Sequence, residues 1–388
     1  MSMTRTGALL ATLGLLLAAG PADAQLKPET LSRVELAGQL KPHWVWLNDV
    51  SFTHMTDGRA YLLDADSGAV LGMISAGMAH GVLQLAPDGR SFAVPSTYFS
   101  RNTRGERTDV VTFYDVATLE PGAEVVIPPK RFMSLPFLSS MPITDDGRFS
   151  IIYNFTPEQS VTIVDLQQKK LVGEFATAGC ALAYPNGARS FFMQCQDGSL
   201  QTVTLEDSGK ATLGAVSRPL FDPRDPANEK PVRVGPKSWL FFTFDSRAVL
   251  VDASGPAPLV KETWSLLGPG DDGWRLGGLQ PVAYHASTGR IFALMHIGPR
   301  DTHKDPGVEI WVFDVRTHQR LSRLKLDRPA SSVAISEDAS PLLYTVLFGA
   351  RDLEVLDPST GGKLRTIGDL SDEMTVIQPA PVGQAATR

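Results

Sequence analysis

The sequence predicts an all-β protein that folds as a seven-bladed β-propeller. Helical periodicity is scarce, and short β-rich runs alternate with turns rich in Asp, Asn, Gly and Pro. In addition, an apolar strand that ends in an acidic residue recurs at regular intervals along the chain. These observations indicate one repeated supersecondary unit rather than several unrelated domains.

Seven segments share the pattern strand, acidic residue, turn, strand, as in YLLDADSGAVLGMI and WVFDVRTHQRLSRLKL. Their acidic residues are Asp64, Asp115, Asp165, Glu206, Asp252, Asp314 and Asp357. The first and last are 293 positions apart, so the mean interval is about 49 residues, which is typical of a four-stranded blade. We expect these residues to shape turns through Asx-type hydrogen bonds; a ring of catalytic carboxylates is the alternative.

A second recurrent turn has Asp or Asn followed by Gly, the signature of a tight β-hairpin. It occurs at Asp88-Gly89, Asp146-Gly147, Asn186-Gly187 and Asp197-Gly198. A single blade cannot bury both of its faces, whereas seven blades arranged radially bury each face against a neighbour. The turns therefore agree with the propeller.

The amino terminus of the 388-residue chain has the layout of a secretory signal peptide. Arg5 precedes the apolar run Ala8 to Ala19, and Ala22-Asp23-Ala24 fits a cleavage site. A run of about 12 residues is too short to span a bilayer, and a buried helix is the alternative. We therefore predict cleavage after Ala24 and export to an oxidising compartment.

The remaining chain divides into three predicted parts. Residues 25–40 form an N-terminal extension, residues 41–378 the propeller, and residues 379–388 a C-terminal tail. The net charge of −6 is the wrong sign for a nucleic-acid binder. No later stretch reaches 18 apolar residues, so we expect no membrane span.

The chain has two cysteines, Cys180 and Cys195, which bracket the turn Pro185-Asn186-Gly187. A hairpin folded at that turn places them side by side, which predicts a disulfide in an exported protein. Metal ligation and a reactive thiol are the alternatives, but C-x-x-C spacing and a nearby histidine are both missing.

The sequence shows no catalytic constellation. None of the seven histidines pairs at metal-ligand spacing, and no nucleophile elbow, P-loop or dinucleotide motif occurs. We therefore predict no catalytic, cofactor-binding or metal-ligating residue on this chain. Trp44 and Trp46 fall on the same face of a strand, where they either pack in the core or stack on a ligand.

Four segments are more specific than the fold. They are Phe99 to Asp109, FFMQCQDGSL from Phe191, DGWRLGGLQPVAYH from Asp272, and SPLLYTV from Ser340. Together they resemble the heavy subunit of the quinoprotein amine dehydrogenases, the methylamine and aromatic amine dehydrogenase family. The resemblance runs from about residue 45 to residue 377, and both cysteines fall where the family's heavy-chain disulfide is expected.

The resemblance implies a periplasmic α2β2 enzyme whose heavy chain is a seven-bladed propeller. Its light chain would carry tryptophan tryptophylquinone and the catalytic aspartate, with no cofactor on the heavy chain. A primary amine would be oxidised to aldehyde and ammonia, and electrons would pass to a blue copper protein resembling amicyanin or azurin. A catalytic set on another polypeptide would explain why this chain shows none.

One heavy-chain segment reaches the active site in that family, where an aromatic residue follows the GMI-x-x-G strand. Here the segment is Gly72 to Met78, so the resemblance places Met78 at the mouth of the substrate channel, followed by Ala79 and His80. Packing of Met78 within the subunit interface is the alternative. Methionine is flexible and apolar, so we expect it to alter which amine fits.

The block from Tyr98 to Asp109 is a second candidate contact. Tyr98, Phe99 and Arg101 join the predicted channel and subunit-interface residues. The arginines at 101, 104 and 107 either orient a partner through charge-assisted bonds or pair with the carboxylates of their own loop.

Two alternatives to an amine dehydrogenase subunit remain open. One is a self-contained propeller hydrolase or lactonase, and the other is a non-enzymatic binding scaffold on the same fold. A hydrolase needs a metal cage or an acid–base cluster at the central channel, and propellers host all of these functions.

Overall fold

A computed structural model describes residues 32–49, 53–79, 81–134, 137–371 and 373–381. The chain divides into two compact units, residues 1–35 and 36–388. In the first unit, the described residues 32–35 have no regular secondary structure. The predicted signal peptide, His80 and most of the predicted C-terminal tail lie outside the described residues.

The second unit contains seven antiparallel sheets, which confirms the predicted seven-bladed β-propeller. Within the described residues, the only helix is a 3-10 turn at Leu138–Ser140, and none is long and apolar enough to cross a membrane. The strands are numbered along the chain, and each blade is given below from its channel strand outward.

Blade 1 contains β28 (Met374–Pro379), β1 (Trp44–Asp49), β2 (Arg59–Asp64) and β3 (Ala69–Ser75). Blade 2 contains β4 (Gln84–Leu85), β5 (Ser91–Arg101), β6 (Arg104–Asp115) and β7 (Pro121–Ile127). Blade 3 contains β8 (Phe149–Asn154), β9 (Ser160–Asp165) and β10 (Lys170–Ala176). A bridge from Ile143 to Ser150 takes the place of its channel strand.

Blade 4 contains β11 (Cys180–Pro185), β12 (Ser190–Cys195), β13 (Leu200–Leu205) and β14 (Ala211–Val216). Blade 5 contains β15 (Val232–Gly235), β16 (Ser238–Phe242), β17 (Arg247–Asp252) and β18 (Leu259–Ser265). In blade 6, β19 (Trp274–Leu276) and β20 (Val282–His285) both pair with β21 (Arg290–Ile297), followed by β22 (Gly307–Asp314) and β23 (Arg320–Ala330). Blade 7 contains β24 (Ser332–Ile335), β25 (Leu343–Val346), β26 (Leu353–Leu356) and β27 (Lys363–Ile367).

The recurrent acidic residue ends, or directly follows, the third strand of every blade. In six blades its Oδ1 atom accepts a backbone N–H two or three residues further on, as Asp115 does from Ala117 at 2.8 Å and Asp314 from Thr317 at 2.7 Å. Glu206, one methylene longer, instead accepts the Ser208 hydroxyl at 3.4 Å. The predicted role in turns is thus confirmed for the six aspartates.

Side chains from adjacent blades interlock to form the core. Trp46 of blade 1 lies 5.0 Å from the ring of Phe92 in blade 2, and Phe92 stacks on Tyr114 at 5.0 Å. Trp44 and Trp46 are both buried. They therefore pack in the core, which is the first of the two predicted roles.

The ring closes between the two ends of the propeller sequence. The last strand, β28, pairs antiparallel with β1, with Val45 opposite Pro379 and Leu47 opposite Ile377. Blade 1 therefore has its channel strand from the carboxyl end of the chain and its three outer strands from the amino end. Leu40, inside the predicted extension, is buried against this blade and its neighbour.

Cys180 and Cys195 face each other in the register of β11 and β12 and form the predicted disulfide. The turn between them falls at Asn186-Gly187, with Gly187 at a φ of 114°. The alternatives of metal ligation and a free thiol are therefore excluded for these two residues.

An imidazole joins blade 1 to blade 7 beside the closure. His43 Nδ1 lies 2.7 Å from Asp66 and its Nε2 lies 3.2 Å from Asp338, which belongs to the turn after β24. Burial alone would lower the pKa of His43, but the hydrogen bond to Asp66 and the charge of Asp338 raise it above 6.5.

We predict that His43→Gln lowers the free energy of unfolding by about 0.5–1 kcal/mol at pH 6. Because the folded-state pKa is raised, this contribution is complete below the unfolded pKa and is lost as pH rises through the folded pKa. Urea unfolding between pH 5 and pH 9 measures it. His318, which contacts the exposed Glu262 at 3.0 Å, gives the control His318→Gln. A His43→Gln deficit that is constant with pH would contradict the ion-pair reading.

We predict that the double variant Cys180→Ala/Cys195→Ala lowers the free energy of unfolding by about 3 kcal/mol, since the bridge restrains a short loop of the unfolded chain. Urea denaturation of oxidised wild type and the variant measures the difference. Wild type in reductant should fall to the value of the variant, and the variant itself should not respond to reductant. Equal midpoints for oxidised and reduced wild type would refute the prediction.

Candidate functional site

The connection from blade 1 to blade 2 carries Met78. A Cβ atom on Gly77 would lie 2.8 Å from the Thr97 carbonyl oxygen and 2.9 Å from the Tyr98 ring, and the φ of Gly77 is 72°. Glycine is therefore the residue that this position accepts. The Tyr98 ring lies directly against the backbone that precedes Met78.

Hydrogen bonds hold this connection from both sides. Met78 N–H donates to the Thr97 carbonyl at 2.8 Å, and Ala79 N–H donates to the Met55 carbonyl at 2.7 Å. Ala79 is buried and has a φ of 47°, while Met78 is half-buried. The side chain of Met78 therefore projects from a backbone that is fixed between the β1–β2 loop and β5.

The β5–β6 hairpin extends beyond its blade. These strands have 11 and 12 residues, whereas the corresponding strands of blade 1 have 6 each. Tyr98, 42% exposed, and Phe99, half-buried, lie where the hairpin leaves the blade. Arg101 is exposed, and it lies opposite Arg104 in the backbone register at the tip of the hairpin. The structure thus brings Tyr98 to the Met78 segment and carries Arg101 further out.

The arginines of the hairpin divide between the two predicted roles. Arg107 pairs with the buried Asp109, donating through Nε at 2.9 Å and Nη2 at 2.8 Å. Arg101 and Arg104 are exposed, and within the described residues no ion pair involves either. Self-pairing therefore accounts for Arg107, while the two arginines at the tip present their charge to solvent.

A buried guanidinium lies behind the Met78 segment. Arg131 is 2% exposed, and its Nη2 donates to the carbonyls of Met78 at 3.2 Å and Ala79 at 3.0 Å. The same nitrogen also donates to Thr97 Oγ1 at 2.9 Å. Burial lowers the pKa of Arg131 to about 10, opposed by the charge of Asp109, so the group stays cationic at neutral pH.

Asp109 links Arg107 and Arg131 at the base of the β5–β6 hairpin. Its Oδ1 accepts the Thr97 hydroxyl at 2.8 Å, and its Oδ2 accepts the backbone N–H of Arg131 at 3.0 Å. Arg107 donates to the Arg131 carbonyl at 2.9 Å as well as to Asp109. One fully buried carboxylate thus connects the base of the hairpin to the strand-like segment that carries Arg131.

A second polar cluster lies beside the same connection. Asp49, His54 and Glu373 place ligand atoms within 4.8 Å of one another, the only such group among the described residues that could hold a metal. Both carboxyl oxygens of Glu373 accept the Thr53 N–H at 3.0 Å. In this structure the cluster ties the β1–β2 loop to the connection that precedes β28.

Some of the exposed apolar side chains lie on one face of the propeller, while others lie on the outer strands of the blades. All second strands of the blades run in the same direction, so their carboxyl ends lie on one face, here called the loop face. Large apolar residues at or beyond these ends are at least 36% exposed: Met55, Tyr98, Phe155, Ile297 and Phe348. Met78 belongs to this face, because the connections between blades cross it.

The channel strands enclose a cavity of about 510 Å³. Its charged groups have partners: Glu229 lies 3.3 Å from Lys230, and Arg233 makes two bonds to Asp145 at 2.6 and 2.7 Å. Burial raises the pKa of Glu337, whose carboxylate accepts the N–H of Ala286. The described lining contains no histidine and none of the three residues of the Asp49 cluster.

Several of these residues were not predicted from the sequence. Arg131 is a lone arginine in a connection, and its acceptors at Met78, Ala79 and Thr97 lie 34 to 53 positions away. Glu373 meets Thr53 across 320 positions through ring closure. Neither spacing leaves a local pattern, so only pairing between distant segments could have revealed them.

The fold and the loop face define a seven-bladed propeller whose candidate functional residues lie on one face rather than in the channel. The sequence profile of the methylamine dehydrogenase heavy chain (MADH) matches residues 42–380. The chain therefore belongs to the methylamine dehydrogenase heavy chain family.

Individual relatives agree with the profile. The chain is 29% identical to the methylamine dehydrogenase heavy chain of Methylophilus methylotrophus over 357 residues, covering 91% of this chain and 87% of the relative. It is 31% identical to that of Paracoccus versutus over 332 residues, covering 82% and 75%.

Solved structures show the fold alone. A protein of unknown function from Desulfotomaculum acetoxidans superposes with a TM-score of 0.58 at 11% identity, covering 87% of this chain and 98% of that one. AztD of Citrobacter koseri superposes with a TM-score of 0.51 at 13% identity, covering 86% and 96%.

Proposed function

We propose that this chain is the heavy subunit of a periplasmic amine dehydrogenase. The enzyme converts a primary amine and water to an aldehyde and ammonia, releasing two electrons and two protons. The electrons pass to a blue copper protein. The observation that carries the proposal is the family match over residues 42–380, which includes the Met78 connection and the β5–β6 hairpin.

The redox group belongs on a partner light chain in this proposal. Tryptophan tryptophylquinone, built from two linked tryptophans, would accept the electrons of the amine there. On this chain, the rings of Trp274 and Trp311 lie 5.1 Å apart, but Trp311 is fully buried and Arg320 and Arg323 stack on it at 4.2 and 4.7 Å. This pair is packed as core and does not suit a group that must meet substrate.

The loop face suits the light chain. Five blades each contribute an exposed large apolar side chain to this face, and exposed apolar patches are typical of protein interfaces. Tyr98 and Met78 lie together there, so a light chain seated on this face would place its active site against Met78. Two such pairs would form the α2β2 assembly.

Within that assembly the heavy chain contributes shape rather than chemistry. Met78 is half-buried on a fixed backbone, and its flexible thioether side chain would form part of the wall of the amine channel. An aromatic side chain at this place would narrow the channel and favour small amines. The heavy chain would thus influence which amine reaches the quinone.

We predict that the heavy chain purified alone has no quinone absorbance and no amine oxidation. Co-expression with a light chain from the same source should give a two-chain complex that has both. Size-exclusion chromatography, a visible spectrum and dye-linked amine oxidation check this. Amine oxidation by the lone chain, or a stable light chain that never associates with it, would overturn the proposal.

We predict that Met78→Phe shifts amine preference toward smaller substrates. The ratio of kcat/KM for methylamine to that for a longer alkyl amine should rise about tenfold or more, because a rigid ring replaces a flexible side chain at the channel mouth. Met73→Phe is the matched control, since Met73 is 47% exposed on the outer strand β3. Equal ratios for wild type and both variants would place Met78 outside the channel.

A further inference from the structure

The backbone of the Met78 connection is held in an uncommon conformation. Gly77 and Ala79 both have positive φ values, 72° and 47°, and the second is unfavourable for a residue with a Cβ atom. Such geometry persists only where surrounding contacts enforce it. The N–H groups of Met78 and Ala79 have partners on β5 and on the β1–β2 loop.

The carbonyl groups of the same two residues share one partner. They point to a single nitrogen, Nη2 of Arg131, at 3.2 and 3.0 Å. Nε and Nη2 of the same guanidinium reach Thr97 Oγ1 at 3.2 and 2.9 Å. One planar group therefore joins the connection to the strand on which Tyr98 stands.

The remaining contacts orient the guanidinium. The Thr97 hydroxyl donates its hydrogen bond to Asp109, so the lone pairs of its oxygen are free to accept from Arg131. Asp109 and Arg107 hold the backbone N–H and carbonyl of Arg131. The charged groups that face Arg131 are thus Asp109 and Arg107. Both form hydrogen bonds with its backbone, and neither donates to the carbonyls of Met78 and Ala79.

A buried arginine whose side chain is directed at backbone carbonyls is costly to desolvate. The fold keeps this charge under the one connection that presents Met78, where an apolar residue would leave two carbonyls without a buried donor. The point from which the Met78 side chain projects is consequently determined by this anchored backbone.

We propose that Arg131 is the positioning residue of the channel mouth: through the Met78 and Ala79 carbonyls it fixes the backbone from which Met78 projects, and thereby sets amine-size discrimination. The inference rests on the proposed function for the amine, but the anchoring itself can be measured on the heavy chain alone. Arg131 does not contact substrate in this proposal.

The first test measures the anchor. In Arg131→Met, hydrogen exchange at the Met78 and Ala79 amides should accelerate by roughly tenfold to a hundredfold, since the carbonyls lose a charged donor. Arg131→Lys should give an intermediate rate. The control is Arg148→Met, which removes a guanidinium that donates at 3.2 Å to the buried Asp165 in blade 3 rather than to the Met78 connection.

The second test measures discrimination in the heavy–light complex. Arg131→Met should raise KM for both methylamine and a longer alkyl amine and lower the ratio of their kcat/KM values by roughly threefold to tenfold. The kcat at saturating amine should stay within about twofold, because the chemistry lies on the light chain. Arg131→Lys should recover part of the ratio, and Arg148→Met should leave it unchanged.

The outcomes separate the two claims. Unchanged exchange at both amides in folded Arg131→Met overturns the anchor, whatever the activity. Faster exchange with an unchanged ratio overturns the role in discrimination. No amine oxidation by the wild-type complex refutes the proposed function and the discrimination claim with it, while exchange still decides the anchor. If Arg131→Met does not fold, Thr97→Val, which removes the bridging hydroxyl at constant shape, replaces it in both tests with the same expectations.

Discussion

Pairing of the last strand with the first is the interaction on which the rest of the structure depends. Seven blades bury their faces only when the ring is closed, and the hydrogen bonds between Met374–Pro379 and Trp44–Asp49 close it. His43 adds a contact across the same junction through Asp66 and Asp338. Because closure joins the two ends of the propeller sequence, it also brings Glu373 against the β1–β2 loop.

Closure also determines where function can lie. The blades are filled by interlocking apolar side chains, and among the described channel-lining residues Glu229 and Lys230 pair with each other. What remains variable is the loop face, where connections and long hairpins can change without disturbing the ring. Part of the exposed apolar surface and the Met78 connection lie there. A propeller is well suited to serve as a rigid platform for a partner that carries the chemistry.

Rigidity of the Met78 connection has its own physical cause. In the proposed amine channel, a flexible methionine would discriminate between substrates only if its backbone stays still, since otherwise the channel would widen to fit each amine. Arg131, Thr97 and Asp109 supply that stiffness through buried, charge-assisted hydrogen bonds, which are stronger than those made in water. Backbone anchoring also means that the residue at position 78 can change while the scaffold beneath it is retained.

Local patterns determined the strand class, the seven repeats with their aspartate turns and the Cys180–Cys195 pairing, because each depends on neighbours within one hairpin or one blade. The family resemblance placed Met78 and Tyr98 in a shared region, and in the structure the Tyr98 ring lies beside Gly77, the residue before Met78. Only the tertiary structure showed that the last strand completes the first blade, that Arg131 anchors the Met78 connection and that Glu373 binds the Thr53 N–H. These contacts join segments far apart in the chain, and hydrogen bonds between distant segments leave no period or spacing in a single sequence.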